Sequence, residues 1–398
     1  MKICLIIDDY LPSSIKVGAK MMHELAVEFV RLGHSVTVVT PAPNLNNDTE
    51  ISVLDGVTVC CFRSGEIKNV SKVKRAINET LLSYYAWKKY KLYFKQNPHD
   101  LIIYYSPTIF WGSLVYRLKK CWGCNSYLIL RDFFPQWVID NGMLSQHSLI
   151  TYYFRFFEWL NYRAADTIGI QSPKNIAWFS ETSSIKKPLN LLYNWAANVA
   201  VSGSNRYRQE LGLENKVIYF YGGNIGHAQD MMNIVRLAIA MRAEQNAHFV
   251  LVGAGDEVEL VRNSIAQYNL SNMTLLPPVS QDEFKKMLAE FDIGLFSLHG
   301  DHITHNFPGK LLGYMVQGKP ILGSVNQGND LVRVIEKAEA GLVTVNRDDE
   351  GFLYNALKLL HDDAYRKKLG GNSKQLLVDI FSVEAAAKQI LKCQDKIK

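Results

Sequence analysis

The chain has 398 residues, 48% of them hydrophobic and 21% charged, with a formal net charge of +6. This is ordinary globular composition, long enough for two domains with a core each, and it excludes disordered and fibrous classes. The charge is mild and uneven: residues 72–95 hold seven Lys and Arg against the single acid Glu79, so the remainder is neutral overall.

The opening "MKICLIIDDYLPSS" carries one lysine and a short apolar run ended by two aspartates, too short for a signal peptide or a membrane span. A cytoplasmic protein, peripheral on the inner face of the membrane, is expected. "KICLII", a helix over about 18–32 and "SVTVVT" form a β-α-β unit. Strands are predicted at 57–62, 101–105, 126–130 and 166–171, with helices at 72–95, 110–120, 148–164 and 173–181. From 191 to 208 the periodicity fades, and the pattern restarts with "VIYFY", "HFVLV", "NMTLL", "FDIGLF" and "KPIL". The expected organisation is a first domain over 1–195, a linker over 196–208, a second domain over 209–380 and a C-terminal helix over 381–398 packing back on the first. Strand and helix alternation predicts an α/β fold, two doubly wound Rossmann-like parallel sheets with a cleft between them, ligands lying beyond the carboxyl ends of the strands.

Six cysteines at 4, 60, 61, 121, 124 and 393 show no disulfide framework. Cys121 and Cys124 have CxxC spacing, but a zinc site needs four ligands and no second pair stands at a fitting distance, so they read as helix-end thiols.

The loops after strands are where function is expected. Gly222, Gly223, Asn224 and Gly226 stand between a strand and a helix. They could bring backbone N–H groups to a phosphate, or serve only a tight strand-to-helix turn. Gly253, Gly255 and Asp256 follow the next strand without the third glycine of a dinucleotide fingerprint, which favours packing and a carboxylate at a helix start. Arg131 and Asp132 follow the strand "YLIL" and read either as site residues or as a structural pair. Pro12, Ser13, Ser14, Lys16, Val17 and Gly18 follow the first strand and are candidate acceptor contacts.

The segment "HNFPGKLLGYMVQGKPIL", 305–322, is the most informative. Asn306 is a fitting N-cap, Pro308 and Gly309 fall in the first turn, and Gly318 with Pro320 marks the stop, which predicts a helix of about three turns. Phe307, Leu311, Leu312, Met315 and Val316 form its expected buried side, and Asn306, Lys310, Gly313 and Gln317 the opposite one. A helix N-terminus disfavours the Lys310 cation by a few tenths of a kcal/mol up to about one, and an anion there reverses the sign. Lys310 therefore reads either as a diphosphate ligand or as a solvated lysine. His299, His302 and His305 are spaced as metal ligands could be, but no further ligand joins them, and a loop lining the cleft is the preferred reading.

In order, "RLGHSVTVVT", "RDFFPQW", "YRAADTIGIQSP", "YFYGGNIGHAQD", "LVGAGDE", "FDIGLFSL" and "FPGKLLGYMVQGKPIL" resemble the retaining GT-B glycosyltransferases of family four across nearly the whole chain. The forms "RDFFPQW", "GGNIGHAQD" and "PGKLLGYM" are most similar to the WbuB-like L-fucosamine transferases of O-antigen and capsule assembly. The resemblance implies a UDP-sugar donor, UDP-N-acetyl-L-fucosamine, an acceptor sugar on undecaprenyl diphosphate, and metal-independent transfer with retention. It places the diphosphate on Gly223, Asn224, Gly226 and Lys310, the ribose and base near Asp256, Pro277 and Gly313, and the acceptor on loops 12–18 and 131–135.

The chain departs from the family at two glutamates, whose positions map to His305 and Gly313, and at a basic pair after the first strand of the second domain, where only His227 stands. Losing the second glutamate removes about two charge-assisted hydrogen bonds of about 1.5–3 kcal/mol each. A nucleotide-sugar epimerase of the same fold and a catalytically silent nucleotide-sugar-binding partner remain as alternatives. The basic aromatic segment 72–95 and the later "YYFRFFEWLNYR" both suit an anionic membrane surface; core helices with snorkelling lysines are the alternative, open for the first segment and preferred for the second, as a helix packed inside the first domain. No recognition motif supports a nucleic-acid partner.

Overall fold

The computed structural model describes residues 1–14, 16–67, 70–140, 142–301 and 307–395. The chain divides into two compact units, Met1–Tyr193 with Val383–Lys398, and Asn194–Ser382. Residues 196–208, read as a linker, lie within the second unit, and their last three residues begin a short helix.

In the first unit the elements run β1 (Lys2–Ile6), α1 (Val17–Arg31), β2 (Ser35–Pro41), β3 (Thr49–Leu54), β4 (Val57–Phe62), α2 (Lys72–Gln96), β5 (Leu101–Ser106), α3 (Gly112–Trp122), β6 (Asn125–Leu130), α4 (Gln136–Asp140), α5 (Leu149–Ala164), β7 (Thr167–Ile170), α6 (Pro173–Thr182) and β8 (Leu189–Leu191). The sheet order is β3-β4-β2-β1-β5-β6-β7-β8, parallel except for the edge strand β3, which runs antiparallel to β4. The residues of β1 and β5 are almost all buried on both faces, hence their unbroken apolar runs. Cys4, Ile6, Cys60 and Phe62 pack against Leu82 of α2, Leu114 of α3, Tyr162 of α5 and Phe179 of α6. Cys4 and Cys60 sit in this apolar layer, Cys124 packs against it and Cys121 is exposed; burial pushes the Cys124 thiol up to about 12. All six cysteines are free.

The second unit runs α7 (Arg206–Leu211), β9 (Val217–Asn224), α8 (Met231–Ala240), β10 (Ala247–Ala254), α9 (Val258–Gln267), β11 (Met273–Leu276), α10 (Gln281–Glu290), β12 (Ile293–Ser297), α11 (Lys310–Val316), β13 (Ile321–Val325), α12 (Asp330–Lys337), β14 (Gly341–Val345), α13 (Asp349–His361) and α14 (Asp363–Leu376). Its sheet is wholly parallel in the order β11-β10-β9-β12-β13-β14. One face carries α8, α9 and α13 over Tyr219, Phe249 and Leu295. Glu290 acts as an internal staple, accepting from the backbone N–H of Ser204, Tyr207 and Arg208, which holds α7 to the end of α10.

A π-helical turn at Leu377–Phe381 ends the second unit, and the last helix, α15 (Val383–Asp395), returns to pack on α1 of the first. Its side chains reach β8, where Gln389 Nε2 donates to Asn190 Oδ1 at 3.0 Å. Among the described residues no helix is long and apolar enough to cross a membrane.

Candidate functional site

In each unit the strand order reverses at one point: β1 leads outward to β2 while β5 leads the other way, and β9 leads to β10 while β12 leads to β13. Such switch points open a crevice at the carboxyl ends of the two strands, because the chain leaves them toward opposite sides.

In the second unit β9 and β12 pair only through Tyr219 with Ile293 and Phe220 with Gly294, and diverge beyond. Tyr314 of α11 holds them apart. Its buried hydroxyl donates to Leu295 O at 2.8 Å and meets the Gly222 amide, and its ring lies where a Gly294 side chain would begin. Sequence patterning misses Tyr314 and puts Leu312 on the buried side, yet Leu312 is only half-buried. Helix α11 is also shorter than the spacing predicts, seven residues with Gly309 at its N-cap. His302, His305 and Asn306 lie outside the described residues.

Lys310 is thus the first residue of α11. Its Nζ is buried, and among the described residues it has no hydrogen-bond partner. It sits 3.5 Å from the centroid of the Tyr221 ring. Burial holds its pKa well below the ordinary lysine value, and no carboxylate among the described residues counters that. A cation over an aromatic face gains about 0.5–2 kcal/mol, less than the several kcal/mol that desolvating an ammonium costs. The side chain is therefore held in an unfavourable state that a nearby anion would relieve.

The glycines separate by role. Gly222, Gly223 and Asn224 are the last residues of β9, in register with Val252, Gly253 and Ala254, so the expected loop is a strand end. A side chain at Gly222 would enter the Phe284 ring, one at Gly253 would meet Gly223 O, one at Gly255 would meet Ile225 O, and one at Gly226 would meet Asp256. These four are demanded by packing. Gly223 differs: it is exposed, has φ 114°, and among the described residues the only atom near its would-be Cβ is Lys310 Cε at 3.9 Å. The structure brings Gly223 together with Lys310, and gathers Asn224, Gly226, Gly255 and Asp256, also predicted donor residues, into a second group.

Asp256 accepts from the His227 N–H at 3.3 Å, and Asn224 Nδ2 donates to Gln229 at 2.6 Å. Glu257 accepts from the Met231 N–H at 3.1 Å, anchoring the start of α8. His227 is exposed and lies against His299, ring centroids 4.7 Å apart and the planes tilted by 39°. Pro277 is exposed at the end of the edge strand β11, two strands from β9. Pro308 is half-buried before α11, and a Cβ at Gly309 would meet open space. A side chain at Gly313 would meet Leu288 of α10 at 3.3 Å, so that position faces a helix contact. Gln317, expected on the functional side, fits the Val201 backbone, donating to its O at 3.1 Å and accepting from its N at 3.0 Å.

In the first unit the crevice lies between β1 and β5. Ser14 donates to Asp9 at 2.7 Å and accepts from the Lys16 N–H at 3.1 Å, and Lys16 Nζ lies 3.6 Å from Asp9. Ser13 donates to Tyr10 O at 3.2 Å; Pro12 lies in the same turn, Val17 is exposed at the start of α1, and Gly18 approaches the Tyr105 hydroxyl. Arg131 and Asp132 form no salt bridge among the described residues: Arg131 Nη1 points to Met21 Sδ at 3.7 Å, its backbone O accepts from Gln171 at 2.7 Å, and Asp132 is exposed. Asp8, which sequence reading placed in this loop without a role, is pushed up to about 6 by burial, opposed by Lys16. The fields of Asp8, Arg131 and Asp132 all act on the buried Tyr105 hydroxyl, which gathers the carboxyl ends of β1, β5 and β6 into one polar cluster.

Residues 204–376 match the family described as Glycosyl transferases group 1. The match falls within the second unit, the one that holds Gly223 and Lys310. The chain is 23% identical over 228 residues to "Probable glycosyltransferase WbjE" of Pseudomonas aeruginosa, a match covering 56% of this chain and 57% of that protein. The chain thus spans less than two thirds of that relative's length. Among solved structures it is similar to HepE of Anabaena in complex with UDP-glucose, at a TM-score of 0.65 and 14% identity with both chains covered in full. It is also similar to WaaG, a glycosyltransferase involved in lipopolysaccharide biosynthesis, at a TM-score of 0.64 and 14% identity over 98% of this chain and 99% of that one. These likenesses show the fold, which is GT-B.

Proposed function

We propose that this chain is a retaining, metal-independent GT-B glycosyltransferase. It takes a sugar, N-acetyl-L-fucosamine, from a UDP-sugar and passes it to a glycan carried on undecaprenyl diphosphate, at an anionic membrane surface, in surface polysaccharide assembly. The observation that carries the reading is the buried, unpaired Lys310 ammonium beside Gly223 at the β9/β12 switch point. A diphosphate is the group that this pair suits. It supplies the missing counter-charge, and φ 114° at Gly223 leaves the strand end bare for close approach.

In such a transfer the developing charge falls on the departing diphosphate, so a preorganised cation lowers the barrier most where it touches phosphate oxygen. Holding Lys310 desolvated and close to the Tyr221 face strengthens that contact, since no water has to be displaced from the ammonium during reaction. The loops of the first unit around Ser14, Lys16 and Arg131 are assigned to the acceptor. Support for UDP as the nucleotide comes from the UDP-glucose complex of HepE, and support for a polysaccharide role from WaaG.

Titration calorimetry with UDP, GDP and ADP tests the reading: UDP binding that Lys310→Ala weakens by more than an order of magnitude is expected, and equal affinity of wild type and variant would sink it. Gly313 facing Leu288 favours one second reading, a nucleotide-sugar-binding partner without transfer. Donor binding without product across a panel of acceptors would establish that reading. An epimerase would instead make a new nucleotide sugar with no acceptor present.

A further inference from the structure

Helix α5, expected inside the first domain, buries only Thr151, Glu158, Asn161, Tyr162 and Ala164. Its outer side is apolar and aromatic: Leu149 is 89% exposed, Tyr152 58%, Tyr153 38%, Phe156 55% and Trp159 37%. These residues recur at three- and four-residue spacing and so form one stripe along the helix. Arg163 ends it, its guanidinium 5.0 Å from the Trp159 ring. The single acid of α5, Glu158, is buried and paired with Arg155 at 2.8 Å, so the exposed side carries no carboxylate.

The stripe continues onto α2. The Tyr153 hydroxyl contacts Thr80, and on the same side of α2 as Thr80 lie Val73 (71% exposed), Ile77 and Tyr84. Lys72, Lys74 and Lys88 flank that side, with Lys88 Nζ 5.7 Å from the Tyr84 ring centroid.

We infer that the aromatic face of α5, joined to the α2 side bearing Val73 and Ile77, inserts into the interfacial layer of an anionic lipid bilayer. Charge decides between occupants. Tyr and Trp with cations stacked at their edges suit the headgroup boundary, where the ring lies in the apolar layer and the cation reaches lipid phosphate. A second copy meeting this face across a two-fold axis would set the α2 cations against themselves with no exposed acid of α5 to pair them. The inference rests on the proposed membrane-surface acceptor and deepens it: the basic segment alone would hold the protein by charge, whereas α5 supplies the insertion. Lipid contact at this face would keep the first unit where a lipid-linked substrate diffuses.

The test is flotation of the full chain with vesicles of phosphatidylcholine alone or mixed with about 30% phosphatidylglycerol, at low and high salt. Phe156→Ser/Trp159→Ser and Lys72→Ser/Lys74→Ser/Lys88→Ser are compared with wild type, and circular dichroism confirms their folding. Wild type is expected to bind the anionic vesicles, the α5 variant to partition at least tenfold less at every salt concentration, and the α2 variant to lose only the salt-sensitive part. Trp emission quenched by brominated lipid should weaken in Trp159→Phe. Vesicle binding unchanged in the α5 variant would overturn the inference and leave the membrane-surface reading standing, whereas no binding by wild type would sink both. A dimer in sedimentation velocity that the α5 substitutions dissociate, with vesicle binding intact, would overturn it in favour of self-association.

Discussion

The two switch-point crevices are built alike and finished differently. In the first unit the polar groups after β1 satisfy one another: Ser14 bridges Asp9 and the Lys16 amide, and Lys16 pairs with Asp9. In the second, the cation after β12 is left without a partner among the described residues, over an aromatic ring and beside a bare strand end. A loop whose charges are internally balanced, as after β1, needs little from a ligand, although in the same crevice Arg131 has no ion pair and its buried Nε no hydrogen-bond partner among the described residues. The buried cation of the second unit is closed in over an aromatic ring and suits an anion.

The sharpest way to break this contrast is to remove the unpaired charge. Lys310→Ala is expected to weaken UDP binding by about 2–3 kcal/mol, roughly 30- to 150-fold, the range for a buried charge-assisted contact. Calorimetry reads it directly, and Ser14→Ala in the other crevice should leave UDP affinity unchanged.

Next in size is the effect on stability without ligand. Lys310→Met removes an uncompensated buried charge while keeping the apolar stem, so it should stabilise the chain by about 1–3 kcal/mol at neutral pH, seen as a higher melting temperature. The pH dependence has a definite sign. The folded chain holds Lys310 below its ordinary pKa, so between the depressed value and the ordinary value the unfolded chain binds more protons, and wild-type stability rises with pH. The advantage of Lys310→Met should therefore shrink as the pH is raised from about 6 to about 10. A gap that stays constant over this range would mean that Lys310 is not held desolvated.

In the first unit Ser14→Ala removes a hydroxyl that both donates to Asp9 and accepts from Lys16, and should cost about 1–2 kcal/mol of stability, a drop of a few degrees in melting temperature. The smallest effect is expected at Gly313. Gly313→Ala gains about 1 kcal/mol in helix propensity and loses part of it against Leu288, for a net change within about 1 kcal/mol and no change in UDP affinity. A large loss of UDP affinity there would show that Gly313 touches the nucleotide.

Much of this architecture is legible in the sequence because buried parallel strands write themselves as unbroken apolar runs. "KICLII", "LIIYYS" and "VIYFY" are β1, β5 and β9 to within a few residues. Elements whose residues do not alternate cleanly escape notice, such as the exposed edge strand β3 and the three-residue β8. In the candidate site, Lys310 and Gly223 could be named from strand-end position and residue type alone. Tyr314 could not, because a tyrosine mid-helix carries no sign that its hydroxyl will bridge two diverging strands. The α5 segment reads either as a surface or as a core helix, with the core preferred, because an aromatic helix does not show in sequence which side the sheet covers.

What the sequence by itself determined is the order of elements and the loops that carry polar chemistry, since local patterning and residue type suffice for these. Only the tertiary structure decided which glycines serve packing and which one opens onto Lys310. It also decided that the lysine is desolvated without a counter-charge among the described residues. Both depend on which strand ends and side chains approach one another across the sheet, and that is set by non-local packing.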